Sequence, residues 1–309
     1  MEKVSVTVCT YNRGNIIGEC IESILKNNIE KDLFEVLIID NNSTDNTKEV
    51  VEQFCLKYSN VRYIREEKVG LSYARNRGIK EANGTIIAFI DDDVKVNENY
   101  IKYIIDFFNE NSTEVCISGK VIPVWDFEKP EWFVSDFASI IGETTYGETV
   151  CTLKFREYPI GCNMIFKKNI FNKVGLFNTE LGIQGDKLYL GEEVDICDRI
   201  LKLGKKIYYL PNAFVYHKVH QNKVDQTYIL NRLKLEGESV AHWHYETKSR
   251  ISRWVQFILR AGILCLRDYP ALLFSKISNK HVFWRRCKVA RTKSYLKKSG
   301  QLFLKRGSI

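Results

Sequence analysis

Apolar residues over the first hundred positions keep two alternating rhythms. Short apolar runs, VSVTVCT (4–10), FEVLIID (34–40), VRYIRE (61–66) and TIIAFID (85–91), alternate with stretches whose apolar residues recur at helical spacing. These are NIIGECIESILKNN (15–28), KEVVEQFCLKY (48–58) and SYARNRGIKEA (72–82), the last ended by Gly84. Runs that are apolar on both faces predict strands covered on both sides, with the interleaved helices as cover. The expected fold class is therefore α/β, with a mostly parallel sheet and helices on both faces. Ligands of such sheets bind beyond the carboxyl ends of the strands. That rule singles out residues 10–13, 40–47 and 91–93.

The rhythm breaks over 120–158. VIPVWDFEKPEWFVSDF (121–137) is rich in aromatics and holds two of the five prolines, which predicts a long functional loop or lid. YPIGCNMIFKKNIF (158–171) resumes as strand and helix, LGIQGDKLYLG (181–191) reads as a loop, GEEVDICDRILKLG (191–204) as a helix and KKIYYLPNAFVYH (205–217) as a strand. From about residue 225 the pattern turns helical, with basic and aromatic residues interleaved, so domains 1–225 and 226–309 are expected.

The net charge of +8 hides an asymmetry. From Ser249 onward about fifteen Lys and Arg face the single acid Asp268, which leaves residues 1–248 net acidic by about six. Nine cysteines are scattered singly with no C-x-x-C pair, and several lie in apolar runs, a pattern that suits a reducing compartment. No signal peptide and no apolar stretch of the ~18 residues a membrane span requires is visible. The expectation is a cytoplasmic protein, peripheral at most at the inner membrane face.

Candidate chemistry begins with IDDDV. Asp91, Asp92 and Asp93 close an apolar strand, where adjacent like charges cost stability unless a cation compensates. Mg²⁺ or Mn²⁺ binds through one or two carboxylates together with substrate phosphates. Equally, such acids can form a solvated turn or a helix start. Asp40 ends the second apolar run and can accept hydrogen bonds from a nucleoside, while residues 44–47 are expected to cap the next helix. At the exit of the first run G-x-G-x-x-G is absent, and no G-x-x-x-x-G-K-[ST] occurs, which disfavours dinucleotide enzymes and P-loop ATPases. Thr10, Tyr11, Asn12 and Arg13 stand there instead, offering donors to a nucleotide.

Taken in order, TVCTYNR, LIIDNNSTDNT, GLSYARNRGI, FIDDDV, GCNMIFKK and GEEVDICDRI resemble the inverting family-2 glycosyltransferases of GT-A fold, over about residues 4 to 217. The resemblance implies that Thr10, Tyr11, Asn12, Arg13 and Asp40 line the nucleoside pocket with Arg75 nearby. It implies that Asp91 and Asp92 belong to the nucleotide-sugar site, with Asp91 approaching ribose or metal and Asp93 holding the metal that bridges two phosphates. The family's acid pair falls on Glu192–Glu193, and its second member is the catalytic base. Glu stands here where the family more often has Asp, so Asp195 is kept as a fallback. At a helix start the macrodipole favours an anionic Glu193, whereas burial or Glu192 would push its pKa upward. His217 is the expected histidine ligand, ahead of His220.

Together these expectations describe a metal-dependent hexosyltransferase. It would use a UDP-linked donor and act on a hydroxyl of a surface glycan or lipid-linked acceptor. Trp125 and Trp132 are candidates to stack on the acceptor, with Glu192 beside them; alternatively the loop aromatics form a small core of their own. The basic tail suits an anionic membrane surface, with 281–298 favoured for that role and 254–266 for packing on the protein. No nucleic-acid fold motif is present, and none is expected as a partner. A nucleotidyltransferase and a non-catalytic glycan-binding member of the same fold are the alternatives.

Overall fold

In the computed structural model, residues 2–154, 157–184, 187–189, 191–273 and 279–304 are described. In chain order the elements are β1 (Val4–Thr10), α1 (Ile17–Leu25), β2 (Phe34–Asp40), α2 (Thr47–Lys57), β3 (Val61–Arg65), α3 (Leu71–Glu81) and β4 (Ile86–Asp91). Next come β5 (Val94–Val96), α4 (Tyr100–Glu110), β6 (Cys116–Val124), β7 (Cys151–Thr152), β8 (Asn163–Lys167) and α5 (Phe171–Val174). β9 (Gly182–Gln184), β10 (Lys187–Tyr189), α6 (Glu192–Lys202) and β11 (Tyr208–Lys218) precede the helices α7 (Gln226–Thr247), α8 (Arg250–Ile263), α9 (Tyr269–Leu273) and α10 (Asn279–Leu304).

The sheet runs β3-β2-β1-β4-β8-β6-β11-β5, with β7 paired to β11. β3, β2, β1 and β4 are mutually parallel, and β8 pairs antiparallel with both β4 and β6. All seven residues of β2 are buried, as a strand covered on both faces requires. Its side chains alternate: Val36 and Ile38 join Val4, Val6 and Val8 in one core, while Leu37 and Ile39 join Phe89 and Ile87 in the other. α1 covers the first core with Ile17, Cys20, Ile21, Ile24 and Leu25, a stripe at helical spacing. The expected α/β sheet with helices on both faces is what forms.

Four elements differ from expectation. α4, whose apolar residues also recur at helical spacing, went unmarked in the sequence reading, and β6 extends to Val124, inside the stretch expected as loop. Within LGIQGDKLYLG, β9 and β10 pair antiparallel; Gly185, Asp186 and Leu190 lie outside the described residues. All nine cysteines are free thiols.

The chain divides into two compact units. The first comprises Met1–Val124, Gly142–Thr179 and Glu192–Lys218; the second comprises Trp125–Ile141, Glu180–Gly191 and Val219–Ile309. In the second, α7 opens where the helical pattern was expected to begin, with the Asp225 carboxylate accepting the Thr227 and Tyr228 N–H groups. α7 meets α10 at Gly237, where any Cβ would lie 2.1 Å from the Arg291 carbonyl oxygen. An aromatic core of Phe133, Phe137 and Phe283 fills this unit, with Trp125, Trp132 and Trp284 packed against it.

Candidate functional site

Register brings the carboxyl ends of the parallel strands level. Thr10 pairs across from Asp40, and Cys9 from Asp91. Beyond them the loops after β1 and β2 are tied together. Asn12 N–H donates to Ser43 Oγ (2.8 Å), Arg13 N–H to Thr47 Oγ1 (2.9 Å) and Gly14 N–H to an Asp45 carboxylate oxygen (3.1 Å). In return Asn12 Oδ1 accepts from the Thr44 N–H at 2.8 Å. Asn12 and Asn42 hold positive φ (53° and 69°), a conformation Asn tolerates because its short amide bonds locally. α2 is started by Asp45, which accepts the Thr47 N–H at 3.0 Å; Asn46, the residue at the cap position, makes no such bond. Tyr11 remains 51% exposed and presents a ring at this rim.

Asp40 is wholly buried. Its oxygens accept from Ser43 N–H (2.8 Å) and Tyr63 O–H (2.6 Å), so it supports the loop above it.

Asp91 closes β4, and the two acids after it take separate partners. Asp92 turns inward, accepting from Thr10 Oγ1 at 2.7 Å with Arg13 Nε 3.8 Å away. Burial pushes its carboxyl up to about 7, and the like charges of Asp93 and Asp91 add to burial, while Thr10 and Arg13 pull the other way. Asp93 Oδ1 lies 3.3 Å from His217 Nε2, both side chains almost enclosed. The register of β5 with β11 sets this pair, because Val94 sits opposite His217. His217 lies within β11 and not beyond it; His220 belongs to the second unit. Adjacent ligands of an octahedral ion with bonds of about 2.1 Å stand about 3 Å apart, so the spacing of Asp93 and His217 fits a shared Mg²⁺-like cation. Among the described residues no three His, Cys, Asp or Glu side chains gather into a cage, and Asp91 does not close one with this pair. Asp93 and His217 therefore fit an ion whose other positions go to water and substrate oxygens.

At the start of α6, Glu192 Oε1 accepts from Arg75 Nη1 at 2.7 Å, both groups buried. Arg75 also donates to the Gly161 carbonyl oxygen at 3.3 Å and lies over the Phe177 ring. Burial works against its charge, and Glu192 first, then Asp91 and Glu193, hold the guanidinium charged. Glu193 as a residue is partly exposed, yet its Oε2, like that of Glu192, is enclosed and meets no hydrogen-bond donor among the described residues. Burial, then the neighbouring Glu192, pushes the Glu193 carboxyl well above the usual range, against Arg75. The helix dipole does not prevail here. Asp195 is engaged otherwise: its Oδ2 accepts from both Nε and Nη2 of Arg199, whose guanidinium also reaches the Val174 and Leu176 carbonyl oxygens.

The loop tryptophans pack among aromatic rings: Trp125 meets Phe127 and Phe133, and Trp132 meets Phe137 and Phe283. These rings share one core with Ile229 and Leu233 of α7 and Phe283 of α10.

Residues that the sequence reading missed are the supports. Gly142 (φ +78°) lies where a Cβ would sit 3.0 Å from His217 Nδ1, and a Cβ on Gly161 would meet Arg75 at 2.9 Å. Asn163 ties β8 to its neighbours, donating to the Lys120 and Ala213 carbonyl oxygens and accepting from Tyr100 O–H. The GCNM motif marked two of them; nothing local marked Gly142.

Residues 5–175 match the pattern of Glycosyl transferase family 2. A glucosyl-dolichyl phosphate glucuronosyltransferase of Haloferax volcanii is 31% identical over 242 residues, covering 77% of this chain and 76% of that protein. The crystal structure of Staphylococcus aureus TarS residues 1–349 with UDP-GlcNAc superposes with a TM-score of 0.56 at 19% identity, over 99% of this chain and 92% of that one. A Pyrobaculum calidifontis mannosyltransferase solved with GDP-Man and Mn²⁺ gives 0.56 at 14% identity, over 99% and 75%. The chain belongs to glycosyl transferase family 2, and its sheet is the GT-A fold.

Proposed function

We propose that this glycosyltransferase moves a hexose-type sugar from a UDP-linked donor to a hydroxyl of a surface glycan or lipid-linked acceptor, with inversion. The observations that carry the reading are the buried Arg75–Glu192 ion pair at the start of α6, next to Glu193, and an Asp93–His217 pair spaced for one cation. Tyr11, Asn12 and Arg13 frame the nucleoside pocket, which Asp40 shapes from beneath. A divalent ion on Asp93 and His217 would neutralise the leaving diphosphate. Arg75 adds positive charge nearby and orients Glu192.

Glu193 takes the proton of the acceptor hydroxyl as that oxygen bonds to the anomeric carbon and the carbon–phosphate oxygen bond breaks. Its neighbour Asp195 is held by Arg199, which favours Glu193 for this work. The glucuronosyltransferase relative acts, by its name, on a dolichyl phosphate-linked sugar, and TarS is solved with UDP-GlcNAc. The first accords with a lipid-linked acceptor and the second with a UDP donor.

The test is thermal unfolding of the full chain against UDP-glucose, UDP-GlcNAc, UDP-glucuronate and GDP-mannose, with Mn²⁺ and with chelator. A donor at a hundred times its Kd raises stability by about 2.7 kcal/mol, so the true one stands out. Asp93→Ala is expected to remove the metal-dependent part of that shift. Equal shifts with Mn²⁺ and with chelator would sink the metal assignment.

A further inference from the structure

α8 carries its apolar stripe on the outside. Ile251, Val255, Ile258 and Leu259 recur at i, i+4, i+7 and i+8 and are all exposed, Ile251 by 78% and Ile258 by 64%. The exposed run continues through Ile263 and Leu266 to Leu273, the last two exposed by 84% and 79%. The inward side of α8 is the basic one. The Arg253 guanidinium lies over the Tyr245 ring at 4.8 Å and that of Arg260 over Tyr295 at 4.2 Å. Phe257 packs near Phe303, on which Trp254 stacks at 4.4 Å. A helix normally spends its aliphatic face on the protein and turns its arginines to water. Here the arginines are held within the protein by stacking, Arg253 also donating to the Tyr245 carbonyl oxygen at 3.2 Å, and the aliphatic face is left over. Scattered exposed apolar residues need no explanation, but seven large ones on one short segment do.

Charge selects the occupant. Residues 249–309 hold about fifteen Lys and Arg against Asp268 alone, and Arg250, Arg286, Lys293 and Lys297 are exposed. A second copy would bring the same cations face to face, whereas an anionic lipid surface attracts them. No helix among the described residues is long and apolar enough to cross a membrane. An aliphatic stripe on a helix of this length suits lying in the interface plane.

We propose that α8 and the segment after it to Leu273 dock in the interface of an anionic lipid bilayer, with the outward aliphatic side chains at the acyl boundary. Docking needs no donor, acceptor or metal, so it stands or falls apart from the transfer reaction.

The experiment is co-sedimentation of the full chain with vesicles of phosphatidylcholine alone and of phosphatidylcholine mixed with phosphatidylglycerol. The variant is Ile258→Asp/Leu259→Asp, both positions being exposed. The wild type is expected to partition onto the anionic vesicles, less so as salt rises. The variant is expected to partition at least roughly tenfold less while keeping its unfolding temperature. Wild type that stays in the supernatant overturns the proposal, and so does a variant that partitions equally well, since binding then comes from the cations alone. A variant that dissociates a dimer in light scattering, with vesicle binding unchanged, assigns the face to a second copy instead. Should the variant unfold, Leu266→Asp, at the most exposed of these positions, takes its place with the same expected loss.

Discussion

Glu193 sits under opposed influences whose balance sets how the enzyme should respond to pH. The first turn of α6 favours its anion by roughly 0.3–1 kcal/mol. Burial and the adjoining Glu192 oppose this and prevail, so the folded pKa is raised. In the proposed role of base, Glu193 must be deprotonated to act. kcat/KM is therefore expected to climb with pH above the ordinary carboxylate range and to level off on the alkaline side. Glu193→Gln should abolish that limb and lower turnover by roughly 10²–10⁴ while leaving UDP-sugar binding intact. Steady-state rates over pH, with donor binding by calorimetry, check both; unchanged turnover would move the base elsewhere. Arg75 poses a stability question at the same scale. Its removal strands Glu192 as a buried carboxylate, and breaking a buried pair costs roughly 3–5 kcal/mol. Arg75→Met should therefore lower unfolding free energy by about that much, and Arg75→Met/Glu192→Gln should recover a good part of it. Denaturant titration of the two variants decides.

Among elements, the part legible in the sequence was the part that repeats. β1, β2 and β4 are short runs buried on both faces, and each ends in the polar residues that sheet topology places together, so Thr10, Asp40 and Asp91 came out level. Contacts between distant segments were not legible. The bonds from 12–14 to 43–47 and the pairing of Val94 with His217 link positions far apart in the chain, and no local period encodes them. Helical periodicity shows that a stripe exists but not which side of the helix faces inward. The tail is a case of this: 281–298 lies in α10, which packs on α7 and still exposes Arg286, Lys293 and Lys297, while α8 exposes an aliphatic stripe. Gly142 is a support of this long-range kind. With φ at +78° and His217 Nδ1 3.0 Å from where a Cβ would stand, Gly142→Ala strains the backbone and crowds the imidazole together. Mn²⁺ affinity in the presence of UDP is expected to fall by roughly 10–100-fold, as when a metal ligand's orienting partner is lost. Calorimetric titration of the variant checks this, and an unaltered affinity would remove His217 from the metal site.

At the scale of the whole molecule the charge asymmetry has a consequence for acid stability. The C-terminal helices concentrate cations, so a histidine buried among them resists protonation. His244 is buried on α7 with Nδ1 2.9 Å from Tyr295 O–H, and Arg260 and Lys248 act on it. Burial first, then those two cations, pulls its pKa down from 6.5 to about 4. The unfolded chain thus binds a proton between those values that the folded chain refuses. Above pH 6.5 neither state is protonated and there is no penalty; as pH falls toward 4 stability declines, and below that the loss is complete. Integrated over the window the loss is about 3 kcal/mol. His244→Gln, which keeps a polar group near Tyr295 and removes the titration, should start less stable at neutral pH and lose less on acidification. The check is denaturant unfolding followed by helical circular dichroism at several values between pH 7 and 4. Parallel curves for wild type and variant would show that His244 is protonated in the folded helices after all, and that the surrounding cations do not govern it.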